Sequence, residues 1–286
     1  MKILCASDLG TSSVGAVNRA CSLAQRLPAE LSIVHAVSAT GSQGATLEQR
    51  VWRAEATLRG GLANQVCRPR TRVRVGHPGR RIVEATREAN VDLVVLGASP
   101  AKSANAFRQG IADRVLAEAR KPVLVVPREP EGEYRRVMLA LDISRESEAA
   151  LRLAESLALV GDEITFVVHA FEPPYEGMLS TVGVSMQNVE AHAHAWRNEI
   201  AGAVREFLTR VSRDPARYRL IMTEQRPVPG ILEAVERLKP DLLMLGSRAQ
   251  GPLLRTLLGS VGSRVAGAAG CDVLLVPENR PAGIAA

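Results

Sequence analysis

This sequence states one pattern twice, and that duplication constrains its fold more than any other feature. Ile3-Leu4-Cys5-Ala6-Ser7-Asp8, an apolar run ending in an acid, is matched by Val137-Met138-Leu139-Ala140-Leu141-Asp142. Leu31-Ser32-Ile33-Val34-His35-Ala36 is matched by Thr165-Phe166-Val167-Val168-His169-Ala170, with the same separation of acid and histidine in both copies. A register kept over two apolar runs and the segment between them means a repeated folding unit, not a shared composition. The second halves repeat as well. Ile82-Val83-Glu84-Ala85 followed by Val91-Asp92-Leu93-Val94-Val95-Leu96-Gly97 answers Ile231-Leu232-Glu233-Ala234 followed by Pro240-Asp241-Leu242-Leu243-Met244-Leu245-Gly246. Each copy closes on a short apolar run and a proline, residues 123–127 and 273–277.

Between these runs lie segments of helical period, with Val14, Val17, Ala20, Cys21 and Ala24 in the first copy and Ala150, Leu151, Leu153, Ala154 and Leu157 in the second. Short apolar runs alternating with such segments predict parallel strands joined by crossover helices. The expected fold class is α/β, as two tandem Rossmann-like domains. Each is a five-stranded parallel sheet with helices on both faces. A chain of 286 residues that is 46% hydrophobic can fill both cores. The polar stretch 128–133 sets the expected domains at 1–128 and 134–279. The second copy carries extra residues, 171–187, where Pro173, Pro174 and Gly177 mark a loop and a candidate lid. Trp52 and Trp196 fall in the second helix of each copy and read as packing residues.

Several function classes are excluded or disfavoured. No apolar stretch reaches the roughly 20 residues of a membrane span, and Asp8 interrupts the region where a signal peptide would stay apolar. A cytoplasmic protein with no membrane partner is expected. Cys5, Cys21, Cys67 and Cys271 show no two-residue spacing, so they read as small apolar side chains rather than zinc ligands or a redox pair. His192 and His194, two apart on a helix, point in different directions, and no metal site is assigned. The net charge of +6 raises nucleic acid as a partner, but arginine is spread along the chain. Its densest runs, 68–74 and Arg80-Arg81, are interleaved with apolar or turn residues. Aromatics at 3% are too few for a base-stacking platform. A solvated, arginine-rich surface is the better reading.

The chemistry concentrates after the fourth strand of the second copy, in Gly246-Ser247-Arg248-Ala249-Gln250-Gly251-Pro252 and then Gly259-Ser260-Val261-Gly262-Ser263 leading into a helix. Glycines at a strand end let main chain approach a ligand, and a helix start presents unpaired N–H groups to an anion. In a parallel sheet the ligand crevice lies beyond the carboxyl ends of the strands, where Asp142 also falls and can hold ribose hydroxyls. Over essentially its whole length the chain resembles the universal stress protein family, in its tandem form. That family's ATP-binding pattern is glycine, two residues, glycine, nine residues, glycine, then serine or threonine. Here it reads Gly246, two residues, Ala249, nine residues, Gly259, Ser260, with one glycine replaced. Alanine is a mild change at negative φ and a costly one at positive φ.

The resemblance implies that Asp142 contacts ribose and that backbone near Leu141 and Ala170 flanks adenine. It brings Gly246, Ala249, Gly259, Ser260, Val261 and Gly262 to the phosphates, with Arg248 able to brace the γ-phosphate. It also implies an intramolecular pseudo-dimer formed along the last strands of the two copies, with a homodimer of chains left open. The first copy departs from the pattern. Pro100, which has no N–H, stands at its second glycine position, and Gln109-Gly110-Ile111-Ala112-Asp113 loses the hydroxyl in either register. Asp113 would set a negative charge beside a phosphate. The N-terminal site is therefore expected not to bind ATP.

Asp8 reads as a helix cap, His35 and His169 as core histidines with a satisfied hydrogen bond, and His77 as a turn residue. No Gly-Lys pair of the common phosphate loop is present, and no nucleophile stands at a fixed spacing from a base, so no catalytic residue is assigned. The expected function is binding of ATP, with or without magnesium, or of a related adenine nucleotide in the C-terminal domain. The protein would act as a stress-response sensor or regulator on unidentified protein partners. The alternatives are an interaction module without nucleotide and a slow ATPase.

Overall fold

The first copy runs β1 (Lys2–Ala6), α1 (Thr11–Arg26), β2 (Glu30–Val37), α2 (Leu47–Leu62), β3 (Arg70–Val75), α3 (Pro78–Glu88), β4 (Leu93–Gly97), α4 (Ile111–Arg114) with a π-helical turn Val115–Ala119, and β5 (Val123–Val126). The second runs β6 (Val137–Ala140), α5 (Arg145–Ser156), β7 (Thr165–Ala170), α6 (Met186–Val211), β8 (Tyr218–Thr223), α7 (Pro227–Leu238), β9 (Leu242–Ser247), α8 (Val261–Ala266) and β10 (Asp272–Pro277). This computed structural model describes residues 1–39, 45–62, 67–98, 110–159, 165–172, 186–247 and 261–278, without the side chains of Ser12 and of 186–192. By their internal contacts the residues form two units, Met1–Glu133 with Ser247–Ala286, and Tyr134–Gly246.

In the first unit the strand order is β3-β2-β1-β4-β5, all parallel, and β10 adds antiparallel to β5 with Val273 opposite Val125 and Leu275 opposite Val123. In the second unit the order is β9-β6-β7-β8, all parallel. Every residue of β5, β6 and β10 is buried, as are Leu93, Val94, Val95 and Leu96 of β4. Strands covered on both faces need unbroken apolar runs, which is what the sequence supplies. The arginine-interleaved β3, at the edge of its sheet, is half to fully exposed. Chain direction across the sheet reverses between β1 and β4, and with right-handed crossovers this sends α1 and α2 to one face and α3 and α4 to the other. The reversal opens a crevice at the carboxyl ends of β1 and β4, and of β6 and β9 in the second unit.

Small residues let α1 lie close to the sheet. Ala16, Ala20 and Ala24 are buried, and a Cβ on Gly15 would stand 2.6 Å from the Arg128 carbonyl, so the chain leaving β5 crosses α1 at that point. Arg19, on the same helix, is buried against Asp272 at 2.8 Å and donates to the Gly132 carbonyl at 2.6 Å. The polar stretch 128–133 is thus held against α1.

Three expectations about side chains need correction. Val14 is half exposed, because the inner face of α1 is set by Ala16, Ala20, Leu23 and Ala24. Trp52 is 68% exposed on α2, whose buried residues are Ala54 and Leu58, so it is not a packing residue. Cys21 and Cys67 are joined as a disulfide, with Cα atoms 5.5 Å apart, linking α1 to the connection between α2 and β3. Only the fold brings together two cysteines 46 positions apart, and their spacing in the sequence carries no such signal.

Candidate functional site

At the carboxyl end of β6 the main chain turns into α5 through Leu141 and Asp142. The Leu141 N–H donates to the Val168 carbonyl at 3.0 Å, and its carbonyl accepts from His169 Nδ1 at 2.8 Å. A carbonyl can only accept, so the His169 imidazole carries a proton on Nδ1. That histidine clamps the turn, and its ring stacks on Phe171. Both main-chain groups of Leu141 are occupied, so Leu141 can flank a ligand by contact but has no N–H to offer it.

Asp142 is exposed, yet its carboxylate is fixed in place. The Ser147 hydroxyl donates to Asp142 Oδ1 at 2.6 Å and accepts the Asp142 N–H at 3.0 Å, and Ser144 Oγ also donates to Oδ1. Ser144 is the N-cap of α5, accepting from the Ser147 N–H at 3.2 Å. The signal for Ser144 lies in the sequence, because a serine immediately ahead of an apolar-periodic helix is a favoured N-cap; the role of Ser147 depends on the turn that brings it to Asp142. At Gly246, which follows the buried run of β9, a Cβ would lie 2.5 Å from the Glu146 carbonyl carbon and 2.6 Å from the Ser147 nitrogen. The end of β9 therefore presses on the first turn of α5, and packing alone already demands glycine there. Ala170 ends β7, and a Cβ added to Gly230 of α7 would come within 3.2 Å of its methyl group and 2.7 Å of Thr223 Oγ1.

Leu141, Asp142, Ala170 and Gly246 thus gather at the carboxyl ends of β6, β7 and β9 in the second unit. Val261 and a buried Gly262 open α8, which belongs to the first unit. Arg248, Ala249, Gly259 and Ser260 lie outside the described residues, as do Pro100 of the first copy and residues 173–185 of the candidate lid.

The first copy repeats the turn with different supports. The Ser7 N–H donates to the Val34 carbonyl at 3.0 Å, and His35 Nδ1 donates to the Ser7 carbonyl at 2.7 Å. Both strand histidines therefore hold a main-chain carbonyl, which is the satisfied-histidine expectation. Asp8 does not cap α1, whose N-cap is Gly10. Instead Asp8 Oδ1 accepts the Gly10 N–H at 2.8 Å in a local turn. A cavity of about 330 Å3 opens there, between β1, β2, β4 and the start of α4. Asp113 is not part of its lining. Its carboxylate accepts from Ser263 Oγ of α8, and burial raises its pKa while that hydroxyl lowers it. The expectation that Asp113 would face a phosphate is thus corrected, because its side chain turns toward α8.

Comparison with known proteins fits this architecture. The model of the universal stress protein family matches residues 1–127 and again 133–277. A Thermus aquaticus protein described as a universal stress protein in the QAH/OAS sulfhydrylase 3′ region is 30% identical over 143 residues, 50% of this chain and 98% of that one. Among solved structures, a universal stress protein from Archaeoglobus fulgidus DSM 4304 aligns over 97% of this chain and 96% of its own with TM-score 0.67 and 17% identity. A putative universal stress protein from Pseudomonas aeruginosa UCBPP-PA14 aligns over 96% and 92% with TM-score 0.63 and 16% identity. At these identities the two structures speak for the fold, which is the Rossmann-like α/β arrangement described above.

Proposed function

Because the chain belongs to the universal stress protein family through both of its halves, we propose that its C-terminal half binds ATP or a related adenine nucleotide and that occupancy regulates protein partners in a stress response. The observation that carries this reading is the Asp142 carboxylate, exposed at the carboxyl end of β6 and held by the Ser144 and Ser147 hydroxyls. A carboxylate fixed in this way is preorganised to accept from the two hydroxyls of a ribose, with little ordering cost on binding. In this reading the base lies along the apolar end of β7 at Ala170, and the phosphates reach the loop that runs from Gly246 through Arg248 and Ala249 to Gly259, Ser260, Val261 and Gly262. Magnesium would accompany the phosphates, and none of these side chains is a nucleophile matched to a base. The role is therefore that of a nucleotide-controlled regulator with at most slow hydrolysis, working in the cytoplasm.

The test is a calorimetric titration of the purified chain with ATP, ADP and AMP in magnesium, after nucleotide carried through purification has been assayed. The expected result is one site per chain, weakened about tenfold or more by Asp142→Asn, as suits loss of a charge-assisted hydrogen bond, and abolished by Gly259→Glu. Absence of heat together with absence of co-purified nucleotide would favour the interaction-module alternative, with Ala249 in the second glycine position as the reason.

A further inference from the structure

We propose that the edge strand β3 is a docking site for an acidic, extended protein segment that joins the sheet as a further strand. The main chain supplies half of the reason. β3 pairs with β2 without interruption, from Ser32 opposite Arg70 to Val37 opposite Val75, and the Gly76 N–H donates to the Val37 carbonyl at 2.8 Å. Main-chain groups alternate sides along a strand, so Arg70, Arg72 and Arg74 direct theirs to β2, and Thr71, Val73 and Val75 turn their N–H and C=O groups outward. Among the described residues no strand lies beyond β3. Such a row is a template for another backbone.

Side chains decide what kind of strand fits. Arg74 donates to Glu88 of α3 at 2.9 Å, which puts Arg70, Arg72 and Arg74 together on the α3 face of the sheet. Glu88 engages Arg74, and Glu30 stands 3.9 Å from an exposed Arg70, whereas Arg72 is exposed and makes no hydrogen bond or ion pair among the described residues. The edge is therefore left with positive charge. An acid on the added strand would pair across it with an arginine, while a second copy of β3 would set arginine against arginine. On the other face, Thr71 and Val73 with Leu58 and Arg59 of α2 line a groove of about 570 Å3. Its rim continues to Trp52, which is 68% exposed and lies three residues before Glu55 on the same stripe of the helix. Alternate side chains of the added strand would enter that groove, so the matching segment is acidic and apolar by turns. Nucleic acid would answer the arginines but leave the outward N–H and C=O row unmatched. The inference concerns the first unit alone and does not depend on nucleotide in the C-terminal half.

The probe is a capped, dye-labelled peptide of alternating glutamate and valine, titrated with the full chain by fluorescence anisotropy. A lysine-for-glutamate counterpart and a single-stranded DNA of matching length run beside it. The expected result is one glutamate peptide per chain at micromolar concentration, weakening as salt rises, with the lysine peptide unbound and DNA at least tenfold weaker. Arg72→Glu should weaken the glutamate peptide at least tenfold without lowering the melting temperature, because Arg72 is exposed. Val73→Pro removes an outward N–H and spares the ladder to β2, so it should abolish binding in a folded chain. If that proline unfolds the protein, glutamate peptides N-methylated at every glutamate or at every valine decide instead, since one set of amides faces β3 and only that peptide should fail. No glutamate-peptide binding at millimolar concentration, or binding indifferent to Arg72→Glu, would overturn the site. Binding that survives Val73→Pro, or both N-methylated forms, would overturn strand addition. Equal binding of the lysine peptide would overturn selection by charge, and DNA bound as tightly as the peptide in an Arg72-dependent way would make the edge a nucleic-acid surface instead.

Discussion

Gly246 shows how one residue can serve packing and motif together. Its missing Cβ is what lets the end of β9 rest on the main chain of Glu146 and Ser147, and those two atoms are not the far end of a flexible side chain that could swing away. Gly246→Val should therefore destabilise the protein by about 1 to 3 kcal/mol through overpacking, seen as a lower urea midpoint with an unchanged slope. An unchanged midpoint would mean that α5 shifts without cost. Asp113 makes a different prediction, from charge. Burial raises its pKa in the folded state, so in the window just above the ordinary carboxylate value the folded chain holds a proton that the unfolded chain has released. Stability then falls as pH rises through that window, the reverse of a salt-bridged acid. Asp113→Asn should flatten that slope and raise the melting temperature more at pH 7 than at pH 4. Asp142 and the two strand histidines were legible in the sequence because they recur at the same separation in both copies. The direction of Asp113 was not, because its partner Ser263 comes 150 residues later.

At the scale of elements, the buried strands announced themselves as apolar runs, because a strand covered on both faces has no polar positions to confuse the pattern. Helix phase was less legible. In α1 the inward face is built from alanines, which give a weak periodic signal, so the larger Val14 drew the predicted face toward solvent. The extra stretch of the second copy, read as loop to residue 187, has its last two residues in α6, which begins at Met186. Nothing local distinguishes a long helix start from a polar loop there. The Cys21–Cys67 link is an element-scale feature, since it ties α1 to the connection that leads into the exposed edge strand β3. Closing a loop of 46 residues stabilises a folded chain by about 4 kcal/mol in the chain-entropy account. Reductant, or Cys67→Ser, should lower the urea midpoint correspondingly, and an equal midpoint in oxidised and reduced protein would show that the link imposes no constraint. In a reducing cytoplasm both would be thiols, and the reduced value would be the working stability. Cys5 should not confuse such thiol assays. Burial pushes its pKa up to about 12, so it should resist alkylation at pH 8 until the chain unfolds.

At the scale of the whole molecule, the first unit is built from two separated stretches of chain, and its last strand comes from the end of the second copy. β10 supplies the antiparallel partner of β5, and with it Asp272, the carboxylate that meets the buried guanidinium of Arg19. A fragment of residues 1–133 would keep every strand of the first copy but leave Val123, Leu124, Val125 and Val126 as an apolar open edge and Arg19 without Asp272. Open apolar edges seek partners, and the best available is a second β5, because β5 and β10 are equivalent strands of the repeat that already pair antiparallel. The fragment should therefore sediment as a dimer or larger species at micromolar concentration. A second route reaches the same contact in the intact chain: Asp272→Ala takes the carboxylate away from a buried guanidinium, and breaking a buried ion pair from one side costs roughly 3 to 5 kcal/mol. Replacing both partners, Arg19→Met with Asp272→Leu, should recover much of that loss, since the penalty comes from the buried charge rather than from the missing pair. A monomeric fragment as stable as the whole chain, together with an innocuous Asp272→Ala, would show that the first copy folds without its borrowed strand.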